Sequence, residues 1–246
     1  MTIGDFSLQA DAYQRSRPGY PRQLVERILA QAGIGPGDPV ADVGAGTGIF
    51  TKLLSELGLQ VTAIEPNALM REKANVPNAV WVEGTFEETG LPEHSQAWAV
   101  AAQAFHWADV PRALPEMRRI LRPGAWFTVL WNDRAMKDSE VLRWTVAAIR
   151  RNIPEFDEAY HDKPWNQILE STGDFEFVQK DTLSHVVPMS KERFLDLWNS
   201  HNRLNNIAGP ERFQRFYAEL ASYLATIDAD TIDVPYLCQA WSARRV

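Results

Sequence analysis

The sequence predicts an α/β fold, a doubly wound sheet of seven strands with a helical cap. Three observations point there. Residues 40–57 read in succession as buried strand, glycine turn and amphipathic helix. Four further short apolar runs, of the kind found in strands buried on both faces, follow before residue 134. Beyond residue 135 helical spacing takes over, and strand-like alternation returns only near 175–187 and 234–244.

At 246 residues, 45% hydrophobic and 23% charged, the chain has the make-up of one globular domain with a real core. Its net charge of −7 comes from 32 acidic and 25 basic residues mixed along the chain. No Lys/Arg block is present to neutralise a phosphate backbone, which argues against nucleic acid as a partner. Cys238 is the single cysteine, so no internal disulfide or cysteine metal cluster is expected, and no other metal-ligand spacing stands out. The opening "MTIGDFSLQA" lacks a basic stretch followed by an apolar one, and no run reaches the ~18 apolar residues of a membrane span. The expectation is a cytoplasmic protein with no membrane partner; composition carries no signal for an oligomeric state.

The first strand is Val40, Ala41 and Val43, and the helix after it carries Phe50, Leu53, Leu54 and Leu57 at helical spacing, with Gly58 as a stop. Gly44, Gly46 and Gly48 fall in the turn between them, where the missing Cβ permits positive φ and lets a ligand approach the main chain. A tight turn without a ligand is the competing account. The spacing is not G-x-G-x-x-G, because the sixth position is Ile49, and no Gly-Lys-Ser/Thr loop is present, so a nicotinamide dinucleotide or a cradled phosphate is disfavoured.

The second strand, "VTAIEPNALM", ends in Glu65, with Pro66 suited to the first turn of a helix. A carboxylate at that strand end is placed to accept hydrogen bonds from two ribose hydroxyls. Alternatively it is a charge answering a helix dipole. The third strand is "AVWVEG", the fourth "AWAVAAQAFHW" and the fifth "WFTVLWNDR". Ahead of them all, Leu24, Val25, Ile28, Leu29 and Ala32 give "RQLVERILAQAG" one apolar helical face.

Three helices follow the fifth strand. "SEVLRWTVAAIRRN" presents Leu142, Thr145, Val146 and Ile149; "KERFLDLWNSHNRL" presents Phe194, Leu197, Trp198 and His201; "PERFQRFYAELASYLATI" presents Phe213, Phe216, Tyr217, Leu220 and Leu224. The last two lie between the sixth and seventh strands. Of nine tryptophans, Trp107, Trp131, Trp165 and Trp198 fall on strand ends or on the cap, where they wall a pocket or simply build core.

"ADVGAGTG" followed by "AIEPNALM" resembles the first two motifs of the class I S-adenosylmethionine-dependent methyltransferases. The likeness continues through "VEGTFEETGLP", "VAAQAFHW", "ILRPGAWFTVLWNDR" and "VPYLCQAWSARR", and "YQRSRPGYP" at 13–21 is similar to the small-molecule branch. The resemblance implies a Rossmann-like sheet in one domain: an N-terminal lid and helix at 1–34, a cofactor-binding core at 35–135, a largely helical acceptor cap at 136–232 that includes the strand at 175–187, and a terminal strand at 233–246.

It also implies roles. The cofactor, S-adenosylmethionine, would have its methionine part held by Asp42, Gly44, Ala45 and Gly46, its ribose by Glu65 beside Pro66, and its adenine by Met70, Thr85 and the Phe86 amide. Gln103 and Ala104 would line the methionine segment, and Tyr13 and Arg17 of the N-terminal segment would close on the cofactor, Arg17 toward its carboxylate. The family often has an acid at Thr85 and an aspartate at Ala97, so this chain departs from it at both positions. His106 is the candidate general base, a role worth ~10²–10⁴-fold in rate, or else it positions its loop. Trp107, Trp131, Asn132, Trp198 and His201 are the candidate acceptor contacts. The implied activity is methyl transfer to a small molecule; the alternative is a cofactor-binding protein of the same fold with a non-methylating or regulatory role.

Overall fold

In the computed structural model, residues 16–157 and 162–246 are described. Seven strands form one mixed sheet in the order β3-β2-β1-β4-β5-β7-β6. They are β1 (Pro39–Val43), β2 (Gln60–Ile64), β3 (Val80–Val82), β4 (Gln96–Ala102), β5 (Leu121–Arg134), β6 (Phe175–Ser190) and β7 (Thr231–Arg245). The pairs β1–β2, β2–β3, β1–β4 and β4–β5 are parallel. The order reverses between β1 and β4, the place where an open α/β sheet leaves a crevice at its carboxyl edge.

The chain divides into two compact units. Among the described residues, the sheet unit holds 19–132, 162–183 and 238–246, and the helical unit holds 16–18, 133–157 and 184–237.

In the sheet unit the period of two along each strand sorts side chains into two cores. Ala41, Val43, Ala99 and Ala101 join Phe105, Phe127, Leu114 and Met117 in one. Val40, Trp98 and Val100 join Leu24, Ile28, Phe50 and Leu54 in the other. Helices α1 (Arg22–Ala32), α2 (Ile49–Glu56), α3 (Ala68–Lys73) and α4 (Val110–Ile120) supply the cover. The α1 face buries Leu24, Val25, Ile28 and Leu29 as its spacing predicts, and left-handed Gly33 ends it. Between β4 and β5 the buried Trp98 Nε1 donates to Thr128 Oγ1 at 2.9 Å, whereas Nε1 of Trp131 on β5 has no partner among the described residues.

Three boundaries differ from the sequence reading. Strand β5 starts at Leu121, well before Trp126, because the Pro123-Gly124 turn is extruded as an irregularity. Leu121 pairs with Gln96 and Trp126 with Trp98. Pro66 is not in the first turn of α3; Asn67 is the N-cap, its side chain accepting from the Met70 amide, and Pro66 precedes it, exposed. A short helix, too brief to show periodicity, spans Trp165–Glu170 after Pro164.

The helical unit packs the helices Glu140–Asn152, Lys191–Asn199 and Asn202–Ala225 through Leu142, Ile149, Phe194, Leu197, Phe216 and Leu220. Ser139 and Ser190 cap the first two with their side chains. The helical pattern expected to continue to Leu204 breaks after Asn199, and His201 caps the next helix, its Nδ1 accepting from the Leu204 amide at 3.3 Å. That helix is itself broken at Gly209, whose φ of 68° and ψ of 169° precede Pro210.

Candidate functional site

Between the end of β1 and the start of α2 the chain turns through three left-handed glycines, Gly44 (φ 75°), Gly46 (58°) and Gly48 (82°). Their surroundings separate them. A Cβ on Gly44 would lie 2.7 Å from Cβ of Ala104 and 3.0 Å from the Phe86 ring, and one on Gly48 would lie 3.1 Å from both Trp81 and Val76. One on Gly46 would meet nothing within 4 Å. Two glycines are required by the protein's own packing, and the middle one faces open space.

Glu65 borders that space. Its Oε2 accepts from the Gly46 amide and its Oε1 from the Asn67 amide, each at 2.9 Å. Each carboxylate oxygen therefore keeps a lone pair, so the side chain can still accept from two hydroxyls. Burial raises its pKa above the ordinary glutamate value, against the opposing pull of the two amides and the Arg71 charge. Arg71, which sequence reasoning missed, donates to the Glu65 carbonyl and pairs with Glu83; a cation six residues downstream has no signature in the motif.

Asp42, the last residue but one of β1, is fully buried. Its Oδ2 accepts from Thr51 Oγ1 on α2 at 2.6 Å, and its Oδ1 has no hydrogen-bond partner among the described residues. Burial above all, with the Glu65 charge adding to it, pushes its pKa up from 3.8 to about 7, against the Thr51 bonds. A buried carboxylate oxygen without a donor is costly, and a ligand N–H or O–H would relieve it.

Beyond β3, Thr85 Oγ1 accepts from the Glu87 and Glu88 amides, which ties the hydroxyl into a turn. Phe86 is buried against Phe105, ring centroids 5.4 Å apart, under Gly44. Met70 is buried on α3.

At the end of β4, Gln103 is held at φ 59°, a conformation L-residues seldom adopt. It is fastened there: its amide donates to the Leu130 carbonyl at 2.8 Å and its Nε2 to the Asn132 carbonyl at 2.9 Å. Asn132 Nδ2 in turn donates to the Gly19 carbonyl at 3.1 Å. Fully buried Phe105 anchors a single 3-10 turn, Phe105–Trp107, that presents His106 and the half-exposed Trp107, ring centroids 4.7 Å apart.

Asp42, Gly44, Ala45, Gly46, Glu65, Thr85, Phe86, Gln103, Ala104 and Asn132, with Met70 on α3 and His106 and Trp107 on the 3-10 turn, thus all belong to the sheet unit. Trp131 shares that unit but lies in its apolar core, stacked on Trp165 at 4.2 Å and edge-on to Trp241, so it presents core packing where an open pocket wall was expected. In the helical unit, Trp198 is 1% exposed among Phe194, Phe216 and His201, with the Arg134 guanidinium 4.3 Å over its ring. His201 is buried as a helix cap, and Arg17 is half-buried near Arg193. Tyr13 lies outside the described residues.

A methyltransferase domain family matches residues 41–129, the stretch that carries these loops. An uncharacterized methyltransferase of Mycobacterium tuberculosis is 40% identical over 141 residues, covering 56% of this chain and 55% of that one. One from Geobacillus kaustophilus is 33% identical over 157 residues, covering 59% of this chain and 72% of that one. The match thus spans about half the length of the first of these relatives. A solved structure from Anaeromyxobacter dehalogenans, named for a type II methyltransferase, superposes with a TM-score of 0.70 at 23% identity, covering 93% of this chain and 97% of that one, and shows the shared fold. Taken with the glycine turn and the acidic strand ends, these likenesses show that the chain belongs to the class I S-adenosylmethionine-dependent methyltransferases.

Proposed function

We propose that the protein transfers a methyl group from S-adenosylmethionine to a small-molecule acceptor. The observation that carries this reading is the open space over Gly46 beside the spare lone pairs of Glu65, together with the buried Asp42 Oδ1 that has no partner among the described residues. In the proposal Glu65 accepts from both ribose hydroxyls, Asp42 Oδ1 accepts from the amino group of the methionine part, and Met70 and Phe86 pack on adenine. The bound cofactor would supply an electrophilic methyl on a positively charged sulfur. The chain's contribution is alignment and exclusion of water, with Gln103 and Asn132 holding the β4 and β5 ends in register. Trp107 offers the acceptor an aromatic face, and His106 beside it takes the acceptor's proton as the new bond forms.

Incubating the protein with methyl-labelled S-adenosylmethionine and fractionated small-molecule extracts tests this. Label in a new small molecule, lost in Glu65→Ala, is the expected result. Tight cofactor binding with no labelled product from any extract would overturn methyl transfer and favour the binding-protein alternative.

A further inference from the structure

Four groups hold Glu65 in place, and three of them are main chain. Its amide donates to the Val82 carbonyl of β3 at 3.1 Å, and its carboxylate oxygens accept from the Gly46 and Asn67 amides. The fourth is Arg71. From the last turn of α3 its Nη1 donates back to the Glu65 carbonyl, while its Nη2 donates to Glu83 Oε2 at 2.8 Å. Glu83 directly follows β3, and Ile64 pairs with Val82 at the ends of β2 and β3, so one planar guanidinium bridges the carboxyl ends of two neighbouring strands. Among the described residues Arg71 is thus the one side chain that hydrogen-bonds to Glu65.

The two ends of that bridge differ in weight. The Glu83 side chain is 75% exposed, so its ion pair with Arg71 is screened by water and does little for stability. The Arg71 side chain is only 19% exposed, and its inner donor meets the carbonyl of a buried residue whose carboxylate borders the space over Gly46. Charge acts in the same direction as geometry. Asp42 at the end of β1 stands near enough for the Glu65 charge to raise its pKa, and Thr51 of α2 faces that pair with a hydroxyl, while Lys52 of α2 is engaged with Glu56. Burial raises the pKa of Glu65, and the Asn67 and Gly46 amides and then the Arg71 charge oppose it. Arg71 is therefore the cation that helps keep Glu65 ionised beside a second buried acid. A protonated Glu65 would have one acceptor site fewer to offer a ligand.

We propose that Arg71 is a positioning residue for the cofactor's ribose: acting through Glu65, it aims the carboxylate at the space over Gly46 and keeps both oxygens able to accept. That role rests on the reading above, in which Glu65 receives the two ribose hydroxyls.

The test is calorimetric titration of the full chain with S-adenosylhomocysteine and with its 2′-deoxy and 3′-deoxy analogues, on the wild type, Arg71→Met, Arg71→Lys and Glu65→Ala. The wild type should prefer the parent ligand over each deoxy analogue by about tenfold, and Glu65→Ala should abolish that preference. Arg71→Met should reduce it to about threefold or less, with Arg71→Lys between the two, because lysine keeps the charge and loses the fork. Loss of S-adenosylhomocysteine affinity on acidification should also begin at higher pH in Arg71→Met than in the wild type; Asp42 titrates in both chains, so the difference between the profiles reports Glu65. A purely structural arginine would weaken all three ligands by one factor, and an intact preference or superimposed pH profiles would overturn the role. Preference lost in Glu65→Ala but full in Arg71→Met removes Arg71 alone. A wild type without preference, or a Glu65→Ala variant that keeps it, overturns the ribose reading of Glu65 and the role of Arg71 with it. If Arg71→Met does not fold, Arg71→Lys decides, since its preference must fall below that of the wild type.

Discussion

At Glu65 both carboxylate oxygens already accept a backbone amide, so the side chain shapes the glycine turn before any ligand arrives. Removing it should therefore cost twice, through lost ribose contacts and through a loosened Gly46. We expect Glu65→Ala to weaken S-adenosylhomocysteine binding by about 1.5–3 kcal/mol by calorimetry while the chain stays folded; unchanged affinity would sink the assignment. Asp42 makes a prediction in pH. Its folded pKa of about 7 lies above the ordinary aspartate value of 3.8, so the folded chain holds a proton that the unfolded chain releases. Its contribution to stability is thus lost as pH rises from about 4 through 7. Urea titrations should show Asp42→Asn gaining on the wild type between pH 5 and pH 8. If the ligand's amino group meets Oδ1, wild-type affinity for S-adenosylhomocysteine should climb as pH approaches 7 and level off above it, and Asp42→Asn should flatten that part of the profile.

The strand-turn-helix element from Pro39 to Glu56 distributes its glycines between folding and binding. Alanine at either Gly44 or Gly46 would carry the strain of a left-handed Cβ, about 1–2 kcal/mol. At Gly44 it would also overlap Ala104, whereas at Gly46 it would project into open space. Thermal melts should accordingly show a clearly larger loss for Gly44→Ala than for Gly46→Ala. Cofactor titration should show the reverse order for affinity per unit of stability lost, and equal melting losses would refute the division. The motif announced three equivalent glycines, because a sequence records that a Cβ is absent and not what would have touched it. The turn itself was legible because a short apolar run precedes it and Phe50, Leu53, Leu54 and Leu57 follow it at helical spacing. Pro66 was read one element too late for a local reason: Asn67 is the stronger capping side chain, and its bond to the Met70 amide sets the helix start.

Across the whole molecule, the helical unit shows what a tryptophan does when neighbours rather than motifs decide. Trp198 is enclosed by Phe194, Phe216, His201 and Arg134, so Trp198→Ala should cost about 3–5 kcal/mol of stability in urea unfolding. A fully stable variant that has lost methyl-acceptor turnover would instead restore it to the acceptor. Sequence alone determined the α/β class, the seven strands, the two acidic strand ends and the family, since each rests on local periodicity or on residues a few positions apart. Tertiary structure alone decided that Gly46 is the glycine with space before it, that Asp42 Oδ1 finds no partner among the described residues, and that Trp131 belongs to a core. Those properties are created by packing between segments: burial sets the cost of an unpaired group, and the contacts that determine burial have no local trace in the chain.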